Sequence, residues 1–224
     1  LREVLGGRAK WIVAGGAPLD PELLAFFRGA GVPVYEGYGL TETTAPCAFN
    51  VLGVPYHQGS VGIAFPGFEL RIAEDGEIQV KGASVFPKYH KNGEATEDSF
   101  TEDGWYKTGD LASIDAQGYI TIHGRIKERI NRAGEKIIPS YLEGLLTEWG
   151  VFSGVAVIGV PDPVLTERIC ICGKPISGAD VLDLGQINHF LKEKGVSGFC
   201  MGDDYLEVHT WPLTAVGKTD KKQL

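Results

Sequence analysis

Seven residues, Gly37–Thr43 (GYGLTET), bring together bare backbone, an aromatic face, hydroxyls and one carboxylate. In such a string Tyr38 can stack on a nucleobase, Thr41 can hydrogen-bond a phosphate, and Glu42 can hold a magnesium ion through oxygen. The same letters also fit a strand-to-helix turn with a capping threonine, and the string alone does not choose. Further on, WYKTGDLASID (Trp105–Asp115) sets Asp110 after a Thr-Gly turn. An ionised carboxylate accepts two hydrogen bonds and suits a ribose diol, although Asp after Gly is also ordinary turn chemistry. PLTAVGK (Pro212–Lys218) is a flexible stretch ending in a lysine. Its ammonium can neutralise charge developing between a carboxylate and a phosphate. The alternative is a solvated basic run shared with Lys221 and Lys222.

The elements that must position these residues follow from local pattern. KWIVAGG is a short apolar run ending in two glycines. Asp20 is expected to cap a helix with Pro21 at its first position, a stripe of Leu23, Leu24 and Phe27, and Gly31 at its end. VPVYEGYG supplies the next strand, so strand, helix, strand suggests a parallel crossover. Ligands in such sheets gather beyond the strand carboxyl ends, here Gly15–Pro18 and Glu36–Thr43. From Gly59 to His123 short strands surround Asp75-Gly76 and Gly118, which argues for an antiparallel, barrel-like subdomain with a polar surface loop and a short helix inside it. After Arg125 a helix is expected from Ser140, with Ser140 and Glu143 as a capping box and Leu142, Leu145, Leu146 and Trp149 as its buried stripe. VAVIGV and RICICGKPI read as strands and GQINHFLKEKG as an amphipathic helix. The fold class is therefore α/β and α+β: the end of a parallel α/β subdomain, an antiparallel barrel-like subdomain, and a small mobile α+β C-terminal domain. The expected domains are 1–126 and 127–224.

Composition narrows the partners. Twenty-one basic against 29 acidic side chains give a net charge of −8 over 224 residues, which argues against the clustered cations that a nucleic-acid footprint needs. No apolar run approaches the ~18 residues of a membrane span, so neither nucleic acid nor a membrane span is expected. Cys47, Cys170, Cys172 and Cys200 match no zinc spacing and read as packing residues. A cytoplasmic compartment is the expectation. The five histidines, His57, His90, His123, His189 and His209, have no metal spacing and read as structural or solvated. The chain opens at Leu1 and holds one methionine, Met201, so it is expected to be an internal piece or a processed chain.

In order along the chain, AGGAPLD, GYGLTET, GSVG, DGWYKTGD, GRIKERINRAGEKIIPSYLE and PLTAVGK resemble successive core motifs of the adenylate-forming superfamily. That superfamily includes acyl-CoA synthetases, aryl-acid ligases, peptide-synthetase adenylation domains and firefly luciferase. The resemblance runs from about Ala14 to Lys218. It implies a two-step acid–thiol ligase in which a carboxylate attacks the α-phosphate of ATP to give an acyl-adenylate, and a thiol of CoA or of a carrier-protein phosphopantetheine then displaces AMP. By position, Gly15, Gly16 and Ala17 would line the adenine and acyl pocket, with Glu36, Gly37, Tyr38 and Gly39 forming the next segment of the nucleotide site. Tyr38 would pack against adenine, Thr41 would contact the α-phosphate and Glu42 would bind magnesium. Asp110 would hold the ribose hydroxyls with help from Arg125, and Lys218 would bridge carboxylate and phosphate. Lys127 falls at the family's hinge and Gly134 beside its pantetheine channel.

The departures bear on what this chain does alone. The family's Ser/Thr/Gly-rich phosphate loop appears nowhere in these residues, so the chain resembles the C-terminal half of such an enzyme and is expected to adenylate poorly by itself. A non-catalytic nucleotide- or carrier-protein-binding module is the alternative. The acid stays open too. The stretch from LREVLGG to EGYGLTET is similar to bacterial long-chain acyl-CoA synthetases, whereas INRAGEKI and PLTAVGKTDKKQL look like aryl-acid ligases. Those ligases usually carry Gly where this chain has Ala133.

Overall fold

The structure is a computed structural model. It describes the whole chain except residues 2, 17, 18, 20, 52–55, 58, 178–181 and 216, and the side chain of Pro21. The expected cap Asp20 and the expected pocket residue Ala17 lie outside the described residues. Two compact units divide the chain, Leu1–Ile122 and His123–Leu224, and each has its own hydrophobic core.

In the first unit, β1 (Ile12–Gly15), α1 (Pro21–Gly29) and β2 (Val34–Gly39) form a parallel crossover in which Ile12 lies opposite Val34 and Gly15 opposite Gly37. The helix ends in a Schellman arrangement. Gly31 takes φ +76°, its N–H donates to Arg28 O, and Val32 N–H donates to Phe27 O at 3.0 Å. The expected apolar stripe is narrower than the sequence suggests. Leu24 is buried and Phe27 half-buried, but Leu23 stays 43% exposed. Leu23 and Leu24 are adjacent, so they point about 100° apart on a 3.6-residue helix and cannot share one contact. The sheet continues through β3 (Pro46–Phe49), antiparallel to β2, and β4 (Ile63–Ala64).

A second sheet holds β5 (Phe68–Ile72), β6 (Glu77–Gly82), β7 (Tyr106–Ile114) and β8 (Ile120–Arg125) in that order. Asp75-Gly76 makes the first hairpin turn, Gly76 at φ +87°, with Asp75 Oδ1 accepting Glu77 N–H at 3.1 Å. Between β6 and β7 lies α2 (Gly93–Asp98), capped by Asn92, whose side chain accepts Ala95 N–H. Ala48, Ile78, Ala112 and Ile120 form the unit's core, with Tyr38 and Val61 packed on it.

The second unit is an α+β layer. β9 (Ile130–Arg132), β10 (Glu135–Ile137), α3 (Pro139–Glu148), β11 (Phe152–Asp162), β12 (Thr166–Pro175), α4 (Leu184–Glu193) and β13 (Asp204–Glu207) follow in sequence. The sheet runs β10-β9-β12-β11, with β13 parallel to β12. Leu142 and Leu146 from α3 and Ile187 and Leu191 from α4, each an i, i+4 pair, meet Val157, Ile169 and Ile171 of the sheet in one core. Ile169 and Ile171 face the core, and Cys170 and Cys172 alternate with them as free, buried thiols.

The capping box expected at Ser140 and Glu143 is not formed. α3 starts one residue earlier, at Pro139 behind Ile138, with no side-chain cap. Ser140 donates its hydroxyl to His123 O instead. The Glu143 carboxylate turns to the sheet and accepts Val157 N–H at 2.7 Å. A proline in the first turn has no N–H to satisfy, so the local motif loses part of its purpose and the tertiary partners win.

Candidate functional site

The glycine density at the ends of β1 and β2 comes first from close packing against neighbouring backbone and the Phe49 ring. A Cβ on Gly15 would stand 3.0 Å from Gly37 O, one on Gly37 would stand 2.9 Å from the Phe49 ring, and one on Gly39 would stand 2.5 Å from Ala45 O. Gly16 differs: its φ is +85° and nothing lies within 4 Å of its Cβ position. β2 then runs through Leu40 into a single 3-10 turn, Thr41–Thr43. Its two threonines have opposite roles. Thr43 is fully buried, accepts Leu40 N–H at 2.9 Å, and directs its own hydroxyl at Leu40 O and Ala45 O. Thr41 is exposed. The turn is thus fixed by Thr43, the capping threonine of the alternative reading, which did not say which threonine caps, and Thr41 is the one presented to solvent.

Glu42, between them, is held from a distant segment. Tyr89 donates its hydroxyl to Glu42 Oε1 at 2.8 Å, and Phe86 N–H donates to Glu42 O at 2.7 Å. Phe86 packs edge-on against Tyr89 and Tyr106, so an aromatic cluster sets the carboxylate's position. Among the described residues there is no group of three or more His, Cys, Asp and Glu side chains that could cage a metal. A single oriented carboxylate is the donor set expected for a magnesium ion carried mainly by nucleotide phosphates and water.

Asp110 owes its position to an irregularity in the β6–β7 ladder. Gln79 pairs with Lys107 and Glu77 with Leu111, so three residues of β7 stand opposite Ile78 alone and the strand bulges. Gly109 takes the bulge at φ +72°, and its N–H is caught by Glu77 Oε1 at 2.7 Å. Thr108 donates to Ile78 O at 2.7 Å and accepts Asp110 N–H at 3.0 Å. The Thr-Gly-Asp string is the chemistry this bulge needs: a hydroxyl that satisfies the displaced backbone, a left-handed residue, and then the carboxylate.

That carboxylate meets β2. Tyr38 donates its hydroxyl to Asp110 Oδ2 at 2.6 Å, joining residues from the two sheets of the first unit. Burial, and then the negative charge of Asp110, push the Tyr38 hydroxyl well above the ordinary tyrosine range, so it stays a neutral donor. Its ring packs on the core of the unit. Glu36, two residues before, accepts the Tyr56 hydroxyl at 3.1 Å. Burial raises its carboxyl above the usual value, against the lowering effect of that hydrogen bond.

Of the expected site residues, the structure brings together Tyr38 with Asp110, and Gly15 with Gly37. Arg125, Lys127, Gly134 and Lys218 lie in the second unit on four separate segments. Lys127 sits in a 3-10 turn, Ile126–Glu128, between extended Arg125 and Arg129. Gly134 is at the tip of the β9–β10 hairpin, a two-residue turn with Ala133 at φ +48° and Gly134 at φ +95°. Both positive values mark a type I′ turn. Lys218 is exposed. The basic run that follows it is not simply solvated, because Lys221 forms ion pairs with Glu128 and Glu143. Sequence reading missed Thr43, Glu77, Tyr89 and Lys221. Thr43 stood inside GYGLTET and Lys221 inside PLTAVGKTDKKQL, where it read as part of a solvated run, but Glu77, Tyr89 and Lys221 act on partners dozens of residues away that no local string reveals.

Residues 2–90 match the family described as AMP-binding enzyme. Over 182 residues the chain is 45% identical to the long-chain-fatty-acid–CoA ligase FadD15 of Mycobacterium bovis, which covers 80% of this chain and 30% of that protein. It is 37% identical over 161 residues to enterobactin synthase component E of Escherichia coli, covering 70% of this chain and 29% of that protein. Among solved structures it is similar to ATP-bound MatB from Rhodopseudomonas palustris, with a TM-score of 0.86 and 30% identity, covering 94% of this chain and 44% of that one. The chain thus spans less than a third of the two relatives' length and less than half of MatB.

Proposed function

We propose, from the premise that this chain belongs to the adenylate-forming superfamily, that it forms the C-terminal part of an ATP-dependent acid–thiol ligase. In the first half-reaction a substrate carboxylate oxygen attacks the α-phosphorus of ATP, the bond to pyrophosphate breaks, and an acyl-adenylate forms. In the second, a thiol sulfur attacks the acyl carbon and AMP leaves with the electron pair of the cleaved acyl–oxygen bond. The substrate class is a fatty or aryl acid, the fatty acid in line with the long-chain-fatty-acid–CoA ligase relative and the aryl acid with the INRAGEKI and PLTAVGKTDKKQL strings, and the acceptor is CoA or a carrier-protein phosphopantetheine.

The observation that carries this reading is the Tyr38–Asp110 pair in the same unit as the exposed Thr41 and the oriented Glu42. Asp110, held by Thr108 and Tyr38, is a fixed acceptor for ribose hydroxyls, and pre-positioning of this kind avoids reorganisation when the ligand binds. Exposed Thr41 is free to donate to an α-phosphate oxygen. Glu42 would hold magnesium, which when bound supplies positive charge against the phosphates. In the second unit, Arg125 would assist at the ribose. Lys218 would offset charge on the carboxylate and phosphate. Lys127 would be the hinge between domains 1–126 and 127–224, and Gly134, with no side chain at the hairpin tip, would border the pantetheine path.

The test is ATP–pyrophosphate exchange by the protein in its natural length across a panel of fatty and aryl acids. One acid class supports rapid exchange. Lys218→Ala abolishes it while leaving thioester formation from supplied acyl-adenylate intact, and equal loss of both half-reactions refutes the role given to Lys218. Absent exchange, together with binding of an acyl-adenylate mimic that Asp110→Ala removes, favours a binding module instead.

A further inference from the structure

The segment that carries Lys218 is fastened at both ends. At one end Trp211 packs on β11, where a Cβ on Gly154 would stand 2.8 Å from the indole, and the indole N–H donates to Thr219 Oγ1 at 3.1 Å. Between, the chain doubles back, with Leu213 and Thr219 in an antiparallel bridge. Thr214 N–H donates to Lys218 O at 2.7 Å, Gly217 N–H to Thr214 O at 2.9 Å and Asp220 N–H to Pro212 O at 3.0 Å. Lys218 N–H returns to Thr214 Oγ1 at 3.1 Å.

At the other end stands Lys221. Its ammonium lies 2.7 Å from Glu128 Oε2 and 2.8 Å from Glu143 Oε1, with only 22% of its side chain exposed. Burial by itself would lower this lysine's pKa, but the charges and hydrogen bonds of Glu143 and Glu128 outweigh burial and hold it above the ordinary value. Glu143 belongs to α3 and is anchored to β11 through Val157 N–H. Glu128 closes the 3-10 turn that contains Lys127.

We propose that Lys221 is a positioning residue for Lys218: by bridging Glu143 on α3 and Glu128 in the turn after β8, it fixes the hairpin that presents Lys218 and ties that hairpin to the turn of Lys127. For what Lys218 does, this rests on the ligase reading above; for how Lys218 is held, it does not. Glu128 is 44% exposed, and an ion pair so exposed contributes little to fold stability. Its consequence is geometric. Lys221 follows Lys218 by three positions, a reach of roughly 10 Å at most, so release of Lys221 moves Lys218 directly. Misplacement by about 1 Å at a reacting centre costs on the order of 100-fold in rate.

The experiment compares Lys221→Met, Lys221→Arg and Glu128→Gln with wild type in the natural-length protein. Hydrogen exchange is read at the amides of Thr214, Gly217, Lys218 and Asp220, and adenylation and thioester formation are measured separately. Lys221→Met is expected to speed exchange at those four amides while β11 and β12 stay protected. It lowers kcat for adenylation about 10- to 100-fold, changes KM by less than about threefold, and spares thioester formation from supplied acyl-adenylate. Lys221→Arg recovers most of the loss. Glu128→Gln keeps the Glu143 half of the bridge and gives a smaller change of the same sign, which decides the matter if Lys221→Met does not fold. Unchanged exchange in the hairpin overturns the proposal, as does equal loss in both half-reactions or faster exchange with a wild-type kcat. A wild-type protein inactive with every acid refutes the ligase reading instead, and the exchange data alone then decide whether Lys221 holds the hairpin.

Discussion

Tyr38→Phe removes one oxygen and leaves a ring that still packs on Ala48, Ile78, Ala112 and Ile120. What is lost is a donor 2.6 Å from Asp110 Oδ2. A hydrogen bond to a charged group contributes about 1.5–3 kcal/mol. Asp110 is only 5% exposed, so water cannot readily replace the hydroxyl, and the upper part of that range applies, about 2–3 kcal/mol. A chain of two units has no single unfolding free energy. The suitable assay is therefore native-state hydrogen exchange at the protected amides of β6 and β7, whose rates should rise roughly 30- to 150-fold. The double-mutant cycle with Asp110→Ala isolates the pair and should return a coupling of at least about 1.5 kcal/mol. A coupling below about 0.5 kcal/mol refutes the reasoning, because that is the scatter expected of independent sites. Equal acceleration in β11 and β12 refutes it as well, since the loss would then not be local.

Three further outcomes are expected. Ala133 sits at φ +48° in the β9–β10 turn, a conformation costly for an L-residue with a Cβ. Ala133→Gly should therefore stabilise the second unit by about 1 kcal/mol, or roughly 4–8 °C in its Tm, and an unchanged or lower Tm contradicts this. Hydrogen bonds from Arg71 first, and then Thr101, hold the Asp103 carboxyl at about 2 against an ordinary value of 3.8. The stability this carries is present above the ordinary value and fades as pH falls toward the depressed one. Arg71→Ala should raise the Asp103 midpoint, read by carboxyl NMR titration, toward the ordinary range, with the Thr101 hydrogen bond left to hold part of the shift, and a midpoint still near 2 would show that Arg71 is not the main cause. Lys127→Pro locks φ in the turn Ile126–Glu128 and should slow thioester formation by roughly tenfold relative to adenylation, about 1.4 kcal/mol. An unchanged ratio of the two rates counts against a hinge there.

The sequence by itself determined what depends on neighbours within a few residues. Asp75-Gly76 specified a hairpin, Leu142 with Leu146 specified the inner face of α3, and alternation in RICICG set Ile169 and Ile171 opposite Cys170 and Cys172, because turn chemistry and helix or strand periods are local. GYGLTET and WYKTGD also announced which residue types stand together, but the Thr-Gly pair that reads as a turn is a bulge inside β7, which only its pairing with β6 decides. Tertiary structure decided the partners. Tyr38 and Asp110 are 72 residues apart, and Lys221 and Glu128 are 93 apart, and no spacing rule connects them. Ser140 and Glu143 show the competition most directly. Their spacing specifies a capping box, yet Ser140 turns to His123 O and Glu143 to Val157 N–H and Lys221. A motif states which hydrogen bonds a side chain is able to make. Packing places the competing donors and acceptors within reach, and a half-buried carboxylate between an amide and an ammonium gains more than one at an exposed helix end.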